Sequence, residues 1–322
     1  MKKINIGKNE ANQRIDKFLR KYMPKAPLSF VYKMLRKRNI KVNQKRIDNT
    51  YILHEGDILE MYMSEETISE FQEQKKILSV DRSFSIVYED ENILFVGKPM
   101  GLLIHEDKHE GHNTLINQAI KYLYDKGEYN PTDEKTFVPA SVNRLDRNTS
   151  GLVIIGKNYK TIQNLNEMLR NSNRVHKYYL AVVAGKVVSE RVLRGYLIKD
   201  EAKNQVKITD IEEPGSKPIH SIIRPQKVSN KFSLVEVEII TGRSHQIRLH
   251  MASIGHPIIG DPKYGDTNIN RNLKEDFGLT HQFLHAYRLY FEDCTGHLEY
   301  LSGKSFLCPL PENLERIENT LF

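Results

Sequence analysis

The chain has 322 residues, enough for about two domains, and its 39% hydrophobic and 28% charged content with 18 Gly and 12 Pro excludes disordered and collagen-like classes. Two cysteines, Cys294 and Cys308, are too few for a disulfide scaffold or a four-cysteine zinc site and read as ordinary thiols. There is no apolar run of the ~18 residues a spanning helix needs and no apolar segment in MKKINIGKNEANQ, so a cytoplasmic protein without membrane contact is expected.

In chain order, Ile15, Phe18, Leu19 and Tyr22 recur at helical spacing. After the breakers Pro24 and Pro27, Ser29 is expected to cap a second helix that buries Val31, Met34 and Leu35. Its other face carries Lys33, Arg36 and Lys37, with Lys41, Lys45 and Arg46 extending the patch, and no acid occurs from Phe30 to Arg46. Cations at i, i+3 and i+4 on one helix side suit successive phosphates; the plainer alternative is a solvated helix face. The net charge of +7 is concentrated here: residues 1–63 hold 15 basic and 6 acidic side chains, whereas beyond residue 79 each sign counts 31. A basic head on a neutral body makes nucleic acid the leading partner. The strings QRIDKFLRKY, VYKMLRKRNIKVNQKRI and LHEGDIL, in the order helix, helix, turn-strand, strand, resemble the S4 RNA-binding domain.

Residues 64–79 are polar and acidic and read as a linker, partly helical at most. Strands are expected at Ser85–Tyr88 and Ile93–Val96 around a turn at Asp90-Glu91-Asn92, and at Leu152–Ile155, Tyr179–Val183 and Leu234–Ile240. Helices are expected at Ile116–Tyr124, Thr161–Arg170 and His245–Ile254. Strands dominate and helices interleave irregularly, which implies an α+β domain on a mixed sheet over residues 80–322.

Four polar constellations follow. His105-Glu106-Asp107-Lys108-His109 satisfies H-E-x-x-H, but it lies between strand-like Gly101–Ile104 and loop-like Gly111-His112-Asn113, whereas the zinc motif needs a helix. Gly303-Lys304-Ser305 lacks the glycine a phosphate loop needs five positions earlier, where Leu298 stands. In Val142–Gly151, an extended backbone would point Arg144 and Asp146 the same way and Leu145 inward, with Thr149, Ser150 and Gly151 forming a turn; the alternative is a surface ion pair. In Thr241–His250, a strand turns into a helix whose first amides, with Arg243, could hold a phosphate, while Arg248 could reach a buried carboxylate; the alternative is a solvated polar turn. With neither a metal set nor a nucleotide loop, cofactor-free chemistry on a large anionic substrate is expected.

Asn143-Arg144-Leu145-Asp146-Arg147-Asn148-Thr149-Ser150-Gly151 resembles the H-R-L-D-x-x-T-S-G signature of the RluA-type pseudouridine synthases, with Asn143 in place of the usual His. Thr241–His250 is similar to that family's T-G-R-[TS]-H-Q-[IL]-R-x-H segment. Lys98-Pro99-x-Gly101, Lys177-x-Tyr179-x-Ala181, Gly255–Asp261 and Leu284-His285-Ala286 follow in the family's order. With the head, the chain looks most like the RluC-like branch. The resemblance implies a synthase-type mixed or antiparallel sheet behind an S4-like α/β head at residues 1–63. It also implies isomerisation of uridine to pseudouridine in RNA, most of all large-subunit ribosomal RNA, by a monomer without metal or small-molecule cofactor.

By resemblance the catalytic residues are Asp146, its partner Arg248, and Tyr179 stacking on the uracil. Arg144, Thr149, Arg243, His245, Gln246 and Leu284 would contact substrate, and Lys33, Arg36, Lys37, Lys41, Lys45 and Arg46 would contact flanking RNA. Transfer RNA as target, a non-catalytic RNA-binding protein, and a metal hydrolase using His105 and His109 are the alternatives.

Overall fold

The computed structural model describes residues 1–73, 77–108, 110–170, 174–200 and 205–322, which divide into two compact units. The first comprises Met1–Arg82, Ile116–Ala140 and Gly156–Gln163. Its antiparallel sheet has the order β1 (Lys2–Asn5), β4 (Ile58–Met61), β2 (Ile40–Val42), β3 (Lys45–Arg46). Helices α1 (Ile15–Tyr22) and α2 (Leu28–Arg36) turn Ile15, Phe18, Leu19, Val31, Met34 and Leu35 into one core with Ile40, Leu59 and Met61. α2 begins one residue before its expected cap, and Ser29 lies within it. Pro27 is the N-cap, its carbonyl accepting from the Phe30 and Val31 amides, and its fixed φ of −59° sets the entry.

Between β2 and β3, Asn43 and Gln44 both take positive φ, 50° and 65°, the conformation of a two-residue type I′ hairpin. Asn43 holds this costly turn in place: its Nδ2 donates to Asp57 (2.8 Å) and its Oδ1 accepts from the Ile58 amide (2.9 Å). Residues 65–71, within the segment read as a linker, form α3 (Glu65–Phe71), capped by Ser64 Oγ. Ile68 is buried in the head core and Phe71 packs 4.8 Å from Phe30.

The second unit comprises Ser83–Leu115, Ser141–Ile155 and Asn164–Phe322. Its spine is the sheet β11 (Gln205–Thr209), β10 (Arg191–Asp200), β12 (Lys217–Val228), β13 (Phe232–Ile239), β9 (Val175–Ala184), β14 (Leu284–Phe291), β8 (Ser150–Gly156), β6 (Ile93–Lys98), β5 (Ser85–Glu89). β7 (Ala140–Ser141) joins β8, and β15 (Ser305–Leu307) joins β14. The ladder from β11 to β14 is antiparallel, but β14 and β8 run parallel, so the sheet is mixed and the α+β expectation holds. The apolar runs of β6 and β8 are buried at every residue, as strands covered on both faces must be. Among the described residues α4 (Leu115–Asp125) and the start of α5 (Tyr159–Arg170) fall in the first unit, whereas the end of α5, α6 (Gln246–Ser253), α7 (Thr267–Phe277), α8 (Glu312–Leu321) and a 3₁₀ turn at Gly296–Leu301 belong to this one.

Two local expectations fail. Gly101–Ile104 is not a strand: Pro99 and the positive φ of Gly101 (84°) turn the chain, and Leu103 makes only an isolated bridge to Thr114. Thr149, Ser150 and Gly151 do not form a turn: Ser150 and Gly151 open β8, and the turn lies before them, closed by the Thr149 amide on the Asp146 carbonyl (3.0 Å).

The two-residue period of β9 puts Lys177 and Tyr179 on one face and His176 and Tyr178 on the other. His176 bridges Glu238 and Glu292, 2.8 Å from each. Burial lowers its pKa, but hydrogen bonds and charge from the two carboxylates outweigh this and hold it above the ordinary value. A raised folded-state pKa stabilises below the unfolded value, and that contribution disappears as pH rises through the folded one. The stability advantage of the wild type over His176→Gln, measured by urea unfolding, is therefore expected to be largest near pH 6 and to shrink by about 1 kcal/mol by pH 9. A gap that widened with pH would contradict the pairing.

Candidate active site

The main cleft of the second unit, about 850 Å³, is lined by the Val142–Arg147 loop, Thr149, Lys177, Tyr179, Ile239–Arg248 and Leu284, together with Leu103–Asp107 and Leu169–Arg170. The two long polar segments of the sequence thus meet on one cavity. Asp146 occupies it partly exposed, its side chain at 26%.

The Asp146 loop is held largely through main-chain atoms. Asn143 Nδ2 donates to the Leu152 carbonyl (3.1 Å) and its Oδ1 accepts from the Ile154 amide (2.8 Å), so this side chain ties the loop to β8. Lys98, almost fully buried, donates to the carbonyls of Pro99 (2.9 Å), Leu102 (2.8 Å) and Arg147 (2.9 Å). Burial pulls this lysine down to about 7 while the charge of Asp146 pulls it up, and three carbonyl acceptors require all three hydrogens of the ammonium form. Behind the loop, Gly151 has φ 112°, and a Cβ there would collide with the backbone of Ala286. Position 151, at the start of β8, is therefore glycine because β8 and β14 approach too closely for any side chain. Ser150 Oγ meets His285 Nδ1 at 2.8 Å, and His285 Nε2 meets the Cys308 carbonyl at 3.0 Å, fixing the same junction.

Arg248, in the first turn of α6, lies within 3.2 Å of Asp146 Oδ2. Its tighter partner is Asp261, bound through two hydrogen bonds of 2.7 and 2.8 Å with the carboxylate fully buried. Burial works against ionisation of both, but the Arg248 hydrogen bonds and charge, with the Lys263 and Tyr264 amides, bring Asp261 below its ordinary pKa. Asp261 fixes the guanidinium, and its free edge reaches Asp146. His245 Nε2 is 3.8 Å from the same oxygen, while its Nδ1 is 3.0 Å from Tyr264 Oη. Burial lowers the His245 pKa despite the Asp146 charge, and its backbone is left-handed at φ 58°, a strain that surrounding contacts must support. Both Asp146 contacts fall on Oδ2, and among the described residues Oδ1 has no partner.

Tyr179 is buried, and burial followed by the Asp146 charge raises its phenol far above the ordinary value, so it is a neutral ring rather than a base. Leu284 and Thr149 are buried at the wall, Thr149 Oγ1 accepting from Gln282 (3.3 Å). Gln246 lines the cleft but its amide is engaged within the protein: Oε1 accepts from Thr241 Oγ1 and the Arg243 amide, and Nε2 donates to the His220 carbonyl and Ser221 Oγ. Of the anion site expected from the first helix amides with Arg243, the Gln246 backbone amide donates to the Arg243 carbonyl (3.2 Å) and the Arg243 amide to Gln246 Oε1, while the Arg243 side chain is exposed. Arg144 is exposed at the rim.

In the head unit, Lys33, Arg36, Lys37, Lys45 and Arg46 are exposed, and Lys41 lies 4.9 Å from the Tyr62 ring. Arg36 and Arg46 are brought together on one shallow cleft with the exposed Tyr32. Residues 105–108 are loop, and His105 Nε2 meets Ser141 Oγ at 3.0 Å; His109 lies outside the described residues. Among the described residues no group of three His, Cys, Asp or Glu side chains is placed to hold a metal.

Asp261 had no role assigned from sequence, although Asp-Pro after a glycine marks the turn that presents it. Lys98 and Lys177 stood in recognised strings without a role, since nothing local signals that a lysine is buried.

A carboxylate paired to an arginine in a cleft with one free oxygen, beside a neutral aromatic ring, is equipped to act on a glycosidic carbon. Residues 92–253 match the family model of RNA pseudouridylate synthases, and residues 13–59 match that of the S4 domain. The chain belongs to the RNA pseudouridylate synthase family: it is an isomerase that converts uridine to pseudouridine in RNA, and it carries an S4 domain. It is 32% identical over 297 residues to ribosomal large subunit pseudouridine synthase C of Haemophilus influenzae, covering 91% of this chain and 87% of that protein. It is also 32% identical to the Escherichia coli protein of the same name, covering 98% and 95%. Among solved structures, human RNA pseudouridylate synthase domain containing 4 shares the fold with a TM-score of 0.56 and 22% identity, covering 73% of this chain and 93% of that one.

Proposed function

We propose that the substrate is large-subunit ribosomal RNA and that Asp146 is its catalytic carboxylate. The observation that carries the second part is the Asp146 anchorage: Arg248 and His245 address one oxygen and leave the other open to the cleft. The names of the relatives and the basic head support the first part. The target uridine leaves its stack, at a cost of a few kcal/mol, and Arg144 at the rim fills the space it vacates. Cleavage between C1′ and N1 builds positive charge on the sugar, which the free oxygen of Asp146 stabilises or captures. Tyr179 stacks on the uracil while it turns, C1′ bonds to C5, the C5 proton passes to solvent, and N1, freed from C1′, takes up a proton, so that the product is an isomer of the substrate. Leu284 and Thr149 shape the wall, whereas Gln246 braces the turn that presents Arg243 and His245. No metal or coenzyme enters these steps.

The chain completes the cleft without a second copy, and we take the working form to be a monomer. Both cysteines are free buried thiols, as a reducing cytoplasm keeps them. Pseudouridine mapping of ribosomal and transfer RNA from cells with and without the gene tests the target. Loss of large-subunit sites alone is expected, and loss confined to transfer RNA would overturn the assignment.

The exposed head cations supply affinity through phosphates. Charge reversal at Lys33, Arg36 and Lys37 is expected to weaken RNA binding at least tenfold at 100 mM salt and to flatten the slope of log affinity against log salt by about two to three. An unchanged slope would remove this face from the interface.

A further inference from the structure

Lys177 is the second cation that β9 brings to the cleft wall, on the same face as Tyr179 and two residues before it. Its cross-strand neighbours are aliphatic, Ile239 on β13 and Leu289 on β14, both buried. No acceptor among the described residues meets its ammonium, and burial lowers its pKa below that of an ordinary lysine. Lys98, by contrast, spends all three hydrogens on carbonyls. A half-buried lysine on a cleft wall, with aliphatic cross-strand neighbours and no counter-charge among the described residues, gains little for folding alone and is suited to an anionic ligand.

The place of Lys177 selects which anion. Arg248 and His245 meet Asp146 at 3.2 and 3.8 Å, whereas among the described residues Lys177 makes no ion pair with that carboxylate. Two residues along a strand is about 6.6 Å, which separates the ammonium from the ring on which the base stacks. Arg170, at the end of α5, lines the same cleft, is exposed and has no acidic partner among the described residues. We infer that Lys177, with Arg170 at the rim, binds a phosphodiester of the RNA backbone adjoining the target uridine. The inference rests on reading the cleft as the uridine pocket around Asp146.

The test uses the full-length protein and total RNA labelled with tritium at C5 of uridine, taken from cells lacking the gene, so that whichever RNA is the target is present. Single-turnover release is followed against enzyme concentration at several salt concentrations. For Lys177→Met, half-saturation is expected to need about tenfold more enzyme, the saturating rate to stay within twofold, and the salt slope to fall by about 0.7 to 0.9. Lys177→Arg should restore affinity. The Met variant should also melt at a temperature no lower than wild type, because the half-buried charge it removes has no partner among the described residues; a purely structural lysine would give the reverse. Unchanged half-saturation and salt slope would overturn the proposal, as would a fall in saturating rate at unchanged affinity, which places the ammonium on the base. Retained turnover in Asp146→Asn would instead sink the pocket reading, whatever Lys177→Met shows.

Discussion

Asp146→Asn is expected to bind RNA within twofold of wild type and to lose turnover by at least ~10⁴-fold, the scale seen when a covalent or charge-stabilising group is removed from a preorganised site. The substitution is nearly isosteric, and the Asn143, Lys98 and Gly151 contacts that hold the loop do not involve the carboxylate. An amide oxygen can still accept from Arg248, so the fold and the cleft persist. What disappears is the full negative charge and the nucleophilic lone pairs opposite developing positive charge on the ribose. Tritium release from C5-labelled RNA measures the chemistry and filter binding measures affinity. Turnover above ~1% of wild type would mean that a different group bears on the sugar.

The second large effect concerns Asp261. Asp261→Leu leaves the Arg248 guanidinium, only 7% exposed, with a single carboxylate at 3.2 Å, and removes the acceptor for the Lys263 and Tyr264 amides. Breaking a buried pair by removing one partner costs about 3–5 kcal/mol, which at this size lowers the melting temperature by roughly 10 °C. Activity is expected to fall more than a hundredfold as well, because Asp261 fixes the guanidinium that addresses Asp146. The double variant Asp261→Leu/Arg248→Met should recover much of the stability, since an apolar pair can replace a buried ion pair, while activity stays lost. Wild-type melting of the single variant, or active double variant, would show that the Arg248–Asp261 pair does not serve the site.

The strands were legible where side-chain period met burial: the apolar runs at Ile93–Val96 and Leu152–Ile155 could only be covered strands, and they are. Helices α1, α2 and α5 followed from their apolar stripes. The helix at residues 65–71 was hidden because only Ile68 and Phe71 anchor it among acids, too few positions for a period to register. Of the cleft, Asp146, Arg248 and Tyr179 were found because they stand in dense, distinctive strings. The anchorage of the Arg144–Asp146 segment was not legible because it is imposed from afar, by Lys98 some 50 residues earlier and by Ala286 in a strand that runs parallel to β8. Lys177 was quoted only for its neighbour Tyr179: a lysine in a strand reads as a solvent-facing residue until the register shows aliphatic partners on both sides.

The contact of Gly151 with Ala286 has a consequence for diversification. The position of the Asp146 carboxylate depends chiefly on peptide groups and on the tethers Asn143 and Lys98. The outward side chains of Arg144, Arg170 and Arg243 take no part in that anchorage. Under the proposed assignment, target choice and bond-making chemistry reside in separable sets of atoms, and retargeting the enzyme to a new transcript becomes a matter of exchanging rim residues over an unaltered floor.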